Sequence, residues 1–128
     1  MEFGFHAGFV HADDLCRRLS FADRNDESAE HYFIVDRSEE SPNEAVPGME
    51  NVYIERDDQI WGGYGDIERV ILARDYLTLQ LGERMATQIG GRDSIRVSFE
   101  IPDSEFRDLR HVLELIMRGY GEKLEVVA

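Results

Sequence analysis

Strict alternation of apolar and polar residues in two stretches constrains the fold of this chain more than any other feature. In "SIRVSFEI" and "YLTLQLG" every second side chain is apolar: Ile95, Val97, Phe99 and Ile101 in the first, and Leu77, Leu79 and Leu81 in the second. Successive side chains of a strand point to opposite faces of a sheet, so both stretches predict half-buried strands.

Further stretches have the aromatic and β-branched composition of strands. They are "EFGFHAGFV", "LCRRLSFAD", "HYFIVDR", "NVYIER" and "DIERVILARD", and the tail "EKLEVVA" could add a last strand. Without the tail, these five stretches and the two alternating ones make seven candidate strands, joined for the most part by short connections.

Helical periodicity is clearest in "PDSEFRDLRHVLELIMRG". Its apolar residues line one face of a helix: Phe106, Leu109, Val112, Leu113, Ile116 and Met117. We expect Asp103 or Ser104 to cap this helix and Gly119 to end it. A shorter helix is expected in "ERMATQIGG". The chain should therefore adopt an α+β fold, a mostly antiparallel β-sheet of about six to eight strands packed against one main C-terminal α-helix.

The length of 128 residues suits a single domain, residues 1 to 128. Residues 37–50, rich in proline and glutamate, predict a mobile surface loop. The one cysteine, Cys16, excludes an internal disulfide and is expected to be a small buried or half-buried residue. No apolar run approaches the roughly 20 residues of a membrane span, and the start lacks a signal-peptide pattern, so we expect a cytoplasmic protein.

Charge gives the first indication of function. The chain has 14 basic and 27 acidic residues, a net charge of −13. Residues 36–68 hold ten of the acids against only Arg37 and Arg56, so −8 of that charge lies in about a quarter of the chain. Such a field repels nucleic acid and anionic membranes and speeds encounter with a basic partner, although acidic excess also favours solubility.

The glycines of "ERDDQIWGGYGDIERV" do not form a phosphate-binding loop. Such loops lead directly into a helix, whereas a strand pattern follows here and the loop has no lysine. A glycine-bearing hairpin or bulge, ending in a glycine-rich turn, is the preferred interpretation. The four histidines lack metal-ligand spacing and no catalytic motif is present, so we predict no metal, no cofactor and no catalytic residues.

What remains in this stretch is an interaction surface. Binding hot spots favour aromatic anchors flanked by charged groups, and Trp61 could equally belong to the core. The candidate partner-binding residues are Glu55, Asp57, Asp58, Trp61, Tyr64 and Asp66.

The second half of the chain resembles the immunity protein 10 family of bacterial polymorphic-toxin systems, most clearly over residues 50 to 120. The resemblance lies in an acidic strand end, a glycine and tyrosine turn, the alternating pattern of "IERVILARDYLTLQL", and a strand ending in "F-x-I" before the helix. The matching residues are Glu55, Asp57, Gln59, Tyr64, Gly65, Ile67, Glu68, Val70, Leu72, Arg74, Leu77, Leu79, Leu81, Phe99, Ile101, Phe106 and Leu109. The chain departs from the family pattern at Ile60 and Trp61.

The resemblance implies a small α+β protein, neither an enzyme nor a cofactor protein, that binds and neutralises a cognate toxin domain. A toxin with a basic surface, such as a nuclease, would complement the acidic stretch. The alternative is a small-ligand-binding or regulatory domain without catalysis, and a hydrolase that uses Asp57 or Asp58 is a third possibility. An exposed edge strand could also pair two copies into a homodimer.

Overall fold

A computed structural model describes residues 1–38 and 45–127 of the chain. Within them the chain forms ten strands and two α-helices. The strands are β1 (Glu2–Ala7), β2 (Phe9–Asp13), β3 (Arg18–Ala22), β4 (Tyr32–Arg37), β5 (Val52–Arg56), β6 (Asp58–Tyr64), β7 (Ile67–Leu72), β8 (Tyr76–Leu81), β9 (Ser94–Phe99) and β10 (Leu124–Val126). The helices are α1 (Glu83–Gln88) and α2 (Asp103–Ile116), and short 3-10 helices occupy Pro47–Met49 and Gly121–Lys123. No helix in this described part has the length and apolar character needed to cross a bilayer.

The strands form two sheets of five. Sheet I has the order β1-β9-β8-β7-β10 and sheet II the order β2-β3-β4-β5-β6. Pairing is parallel between β1 and β9 and between β10 and β7, and antiparallel elsewhere. The predicted α+β class and main C-terminal helix are confirmed. The expected six to eight strands were slightly too few, because residues 58–64 and the tail form strands and the first predicted strand divides in two.

That division occurs at Gly8, where the chain passes from sheet I into sheet II. The amide of Gly8 donates a 2.9 Å hydrogen bond to the carbonyl of Ala22. A Cβ atom at this position would lie 2.6 Å from the carbonyl oxygen of Asp23, so only glycine allows the backbone to cross here.

One hydrophobic core joins the inner faces of both sheets and α2. Phe21 of sheet II stacks on Phe99 of sheet I with ring centroids 6.2 Å apart. Helix α2 packs against β2 and β3 and contributes four residues that are at most 2% exposed: Leu109, Val112, Leu113 and Ile116. The predicted apolar face of the helix is therefore the face that it buries.

The ends of the helices differ in part from the prediction. Pro102 is the N-cap of α2 and no side chain caps it, so the expected cap by Asp103 or Ser104 was wrong. Asp103 lies inside the helix, and its carboxylate accepts a 2.9 Å hydrogen bond from Arg74 instead. Gly119 follows α2 with φ of +89°, and Gly90 and Gly91 follow α1 with φ of +91° and +80°, as glycines at helix ends commonly do.

Two arginines of sheet II are buried, and each binds carbonyl groups at the end of a helix. Arg37 is 1% exposed and donates to the carbonyl of Ile116 (3.1 Å), the last residue of α2, and to that of Arg118 (2.5 Å), just beyond the helix. Arg56 is 9% exposed and donates twice to the carbonyl of Ile89, at 3.0 and 2.7 Å, where α1 ends. These carbonyls lack intrahelical partners, and the fork of a guanidinium satisfies more than one acceptor direction.

One local expectation holds in part and one is wrong. Residues 39–44 of the predicted loop lie outside the described residues; of residues 45–50, four are exposed as expected, whereas Met49 is 1% exposed and joins the core. Cys16 is exposed rather than buried. The carboxylate of Asp13 accepts the amides of Leu15 (3.0 Å) and Cys16 (3.1 Å), and this turn places Cys16 in solvent.

Candidate functional site

The outer face of sheet II, turned away from the core, carries tyrosines and acids side by side. Strand register places Arg18, Asp36, Tyr53 and Tyr64 in one row across β3 to β6. The next row holds Ser20, Ile34, Glu55 and Gly62, and Tyr32 lies beside Ala22. We call the central part of this surface the tyrosine face; its residues are Tyr32, Ile34, Asp36, Tyr53, Glu55 and Tyr64.

Glu55 lies at the centre of the tyrosine face. The hydroxyl of Tyr53 donates a 2.6 Å hydrogen bond to one carboxylate oxygen of Glu55, and the hydroxyl of Tyr32 donates to the other. Burial and the hydrogen bond to Glu55 raise the pKa of the Tyr53 phenol to about 12, and the same two causes raise the pKa of Tyr32. Both phenols therefore stay protonated at neutral pH and remain donors.

Asp36 and Tyr64 extend the face to either side. Arg18 Nε lies 3.1 Å from Asp36 Oδ2, and burial raises the pKa of Asp36 while Arg18 opposes that rise. The rings of Tyr53 and Tyr64 are tilted against each other with centroids 5.0 Å apart. Tyr64 is 53% exposed, so much of its side chain is open to solvent.

An irregular stretch of β6 adjoins the face. Glu55 pairs with Gly62 but Arg56 pairs with Asp58, so residues 59–61 are extra and form an arch. The carboxylate of Asp58 accepts the amide of Ile60 at 3.1 Å, and Ile60 is 70% exposed. The arch therefore presents an apolar side chain to solvent on a hydrogen-bonded turn.

Trp61 lies at the base of the arch and turns back toward the core. It is half-buried and packs against the core cluster. The guanidinium of Arg56 lies 5.1 Å from the Trp61 ring centroid and 4.9 Å from that of Phe3. Trp61 thus anchors the arch to the body of the protein, and the sequence alone left this orientation open.

The glycine-rich turn predicted at "WGGYG" is right only for Gly65, because residues 61–64 lie within β6, whereas the predicted bulge is present where β5 and β6 lose register. The turn before β6 is Asp57 with φ of +62°, and the turn after it includes Gly65 and Asp66. The Gly62 position in the strand requires glycine, because a Cβ atom would lie 2.5 Å from the hydroxyl oxygen of Tyr53. The absent side chain gives Tyr53 room to reach Glu55.

The remaining two acids of the predicted set hold local structure. The carboxylate of Asp57 accepts the amide of Tyr32 at 3.0 Å and lies 3.1 Å from His31 Nδ1. The carboxylate of Asp66 accepts the amide of Met85 at 3.0 Å, in the first turn of α1. Asp66 therefore satisfies one of the free amides of that helix, as an N-cap side chain does.

The structure thus places the six predicted residues in three settings. Glu55 and Tyr64 belong to the tyrosine face. Asp58 directly precedes the arch and accepts a hydrogen bond from it, and Asp57, Trp61 and Asp66 lie in the turns and packing that support β6. Sequence reasoning missed Tyr32, Ile34 and Asp36. Alternation within "HYFIVDR" places these three opposite the buried Phe33 and Val35, but only the pairing of β4 with β5 brings them beside Glu55.

The described part of the chain contains no group of three or more histidine, cysteine or acidic side chains that could hold a metal ion. What this surface offers chemically is therefore ring faces, phenols and carboxylates.

The family model of immunity protein 10 matches residues 5–107 of the chain. The chain belongs to the immunity protein 10 family. The family resemblance drawn from the sequence is confirmed, and the match begins earlier in the chain than the resemblance did. It includes the whole tyrosine face, the arch and both supporting turns. No curated protein matches the chain.

Proposed function

We propose that this immunity protein neutralises a cognate toxin domain by direct contact through the tyrosine face and the adjoining arch. The observation that carries the proposal is the fixing of Glu55 by Tyr32 and Tyr53 beside the exposed ring of Tyr64. Tyrosine is enriched among binding hot spots, and side chains already held in one geometry lose little entropy on binding.

The arch adds an apolar contact to this polar surface. Ile60 is 70% exposed, and its turn is held by Asp58 on one side and by the packing of Trp61 on the other. An exposed apolar side chain on an ordered turn can fill a cleft of a partner without folding first. In this proposal Glu55, Asp58, Ile60 and Tyr64 touch the toxin, while Asp57, Trp61 and Asp66 hold the contact surface in place.

Charge supports a basic partner. The net charge of −13 attracts a basic surface over a long range, and a nuclease with a nucleic-acid groove presents such a surface. We propose that the complex forms in the cytoplasm of the producing cell, before the toxin can act there. Neutralisation then requires occlusion of the toxin and no catalytic step.

Contact through the face is favoured over strand addition at the β6 edge. Arg84 donates a 2.8 Å hydrogen bond to the carbonyl of Tyr64, and Gln88 donates a 2.8 Å hydrogen bond to the carbonyl of Gly62. Helix α1 thereby occupies acceptors that a pairing strand would need. A homodimer through this edge would have to displace both side chains.

Co-expression tests the proposal. The C-terminal domain of a toxin gene adjacent to the immunity gene is expressed with the wild-type protein or with the double variant Glu55→Gln/Tyr64→Ala. We expect the wild type to restore growth and to co-purify with the toxin, and the double variant to lose both.

The matched control is Tyr76→Ala, which removes a tyrosine from sheet I, where Arg96 stacks on it at 3.9 Å. This variant should protect as the wild type does. Growth restored equally by the face variant, at equal protein level, would contradict the assignment of the face.

A further inference from the structure

Glu55 differs in its partners from Asp36 and Asp57, two other half-buried acids in this part of the protein. Asp36 forms an ion pair with Arg18, and Asp57 lies 3.4 Å from Arg56. Among residues 1–38 and 45–127, Glu55 forms no ion pair with a basic side chain, and its two hydrogen bonds come from phenols. The tyrosine face therefore contains a half-buried carboxylate whose charge is not neutralised within the described protein.

The carboxylate keeps acceptor capacity after both tyrosines have donated to it. Each carboxylate oxygen can accept about two hydrogen bonds, and each oxygen of Glu55 uses one for a phenol. Across the sheet, Gly62 lies opposite Glu55 on one side and has no side chain, and Ile34 lies opposite on the other. The approach to the carboxylate is thus bordered on one side by the apolar side chain of Ile34 and on the other by the Tyr53 hydroxyl, which lies over Gly62 and already donates to Glu55.

The rings beside it suit a flat cation. Tyr64 is 53% exposed and tilts against Tyr53 at 5.0 Å, so an aromatic surface stands next to the row of Glu55. A guanidinium group can stack on a tyrosine ring while it donates to a carboxylate, which the compact ammonium of lysine does less well.

We propose that Glu55 is the binding position for an arginine side chain of the toxin, stacked on Tyr64 and paired with the carboxylate. The inference rests on the proposed function and specifies the chemistry of the partner. We call this position the arginine seat. It contributes one negative charge that no described residue neutralises, so charge complementarity selects a basic side chain, and stacking on Tyr64 favours arginine over lysine. Tyr32 and Tyr53 act as positioning residues that hold the carboxylate toward the partner.

A peptide titration tests the arginine seat without the toxin. Capped (Gly-Arg)4 is added to the full chain and followed by NMR, with (Gly-Lys)4 and the uncharged citrulline peptide (Gly-Cit)4 as comparisons. We expect saturable shifts at Tyr53, Glu55 and Tyr64, weaker binding of the lysine peptide and none of the citrulline peptide. Shifts that are equal for all three peptides, or that lie elsewhere on the protein, would overturn the inference.

The variant Glu55→Gln keeps the shape of the side chain and removes its charge. It should weaken binding of the arginine peptide roughly ten- to a hundredfold, the size expected for one charge-assisted hydrogen-bonded contact. The matched control Glu114→Gln makes the same change on the exposed surface of α2 and should bind as the wild type does. An unchanged affinity in Glu55→Gln would reject the seat, provided that the NMR spectrum shows the fold intact.

The same variants separate the two proposals in the toxin complex. If the wild type binds the toxin and Glu55→Gln binds it equally well, the arginine seat is wrong and the proposed function stands. If the wild type fails to bind the toxin, the proposed function is wrong whatever the peptides do.

Discussion

The hydroxyl of Tyr53 donates a 2.6 Å hydrogen bond to the carboxylate of Glu55, two residues further along β5. Side chains two apart in a strand share a face, so this contact is built into the strand itself. It couples the ionisation of a tyrosine to the negative charge at the centre of the tyrosine face.

Alkaline pH should destabilise the protein through this contact. The pKa of Tyr53 is raised from 10.0 to about 12 by burial and by Glu55, so the unfolded chain loses the phenolic proton first. The stabilising contribution is complete below about pH 10 and falls as pH rises toward 12. Urea unfolding between pH 9 and 12 should show a smaller fall for Tyr53→Phe than for the wild type. The control Tyr76→Phe should follow the wild type, and identical slopes for Tyr53→Phe would contradict the coupling.

Replacing the buried arginine beneath the arch should destabilise the fold. Arg56→Met leaves the carbonyl of Ile89 without its two donated hydrogen bonds, at a cost of roughly 2 kcal/mol in the free energy of unfolding. Trp61 packs on this guanidinium and is the one tryptophan, so its fluorescence reports both unfolding and any local loosening. Arg56→Lys keeps the charge with fewer donors, so its free energy of unfolding should lie between those of the wild type and Arg56→Met. A change below about 0.5 kcal/mol for Arg56→Met, the range of ordinary surface substitutions, would show that the contact contributes little.

Removing the carboxylate that caps α1 should cost stability but leave partner binding nearly intact. Asp66→Ala loses the 3.0 Å hydrogen bond to the amide of Met85, a change typically worth about 1 kcal/mol. Its left-handed backbone, φ of +56°, adds strain for alanine, so Asp66→Asn is the better matched comparison. Chemical denaturation measures the stability, and toxin affinity is measured well below the unfolding transition. A large loss of affinity in a folded Asp66→Asn variant would instead place Asp66 in the interface.

Association with the toxin should slow as salt increases. The net charge of −13 steers a basic partner, and charges separated by more than about 8 Å are largely screened at physiological ionic strength. Stopped-flow measurement between 20 mM and 500 mM NaCl should give a falling association rate and a nearly constant dissociation rate. An association rate that is flat over this range would show that the acidic surface does not steer the encounter.

Local patterns predicted several elements closely. The alternating stretches became β8 and β9, with Leu77, Leu79, Ile95 and Val97 at most 1% exposed. The apolar periodicity of α2 identified its buried face. These predictions succeeded because each pattern depends only on one strand or helix that buries one of its faces in the core.

The strand β6 and the full tyrosine face were harder to predict. Glycines often indicate turns, whereas Gly62 lies in a strand, and glycine is needed there because the Tyr53 hydroxyl occupies the space of a side chain. Glu55 and Tyr64 could be selected as candidates from one acidic and aromatic stretch. Tyr32 and Asp36 could not, since their place beside Glu55 depends on how β4 pairs with β5.

By itself the sequence determined which side of each clear strand faces inward, which face of α2 is buried and where the acidic charge is concentrated. Only the tertiary structure decided which strands pair, how ten strands divide into two sheets, and that Arg37 and Arg56 are buried at helix ends. The physical reason is that the direction of a side chain follows from local backbone geometry, whereas strand register and the burial of a charge depend on distant backbone groups that fold to meet them.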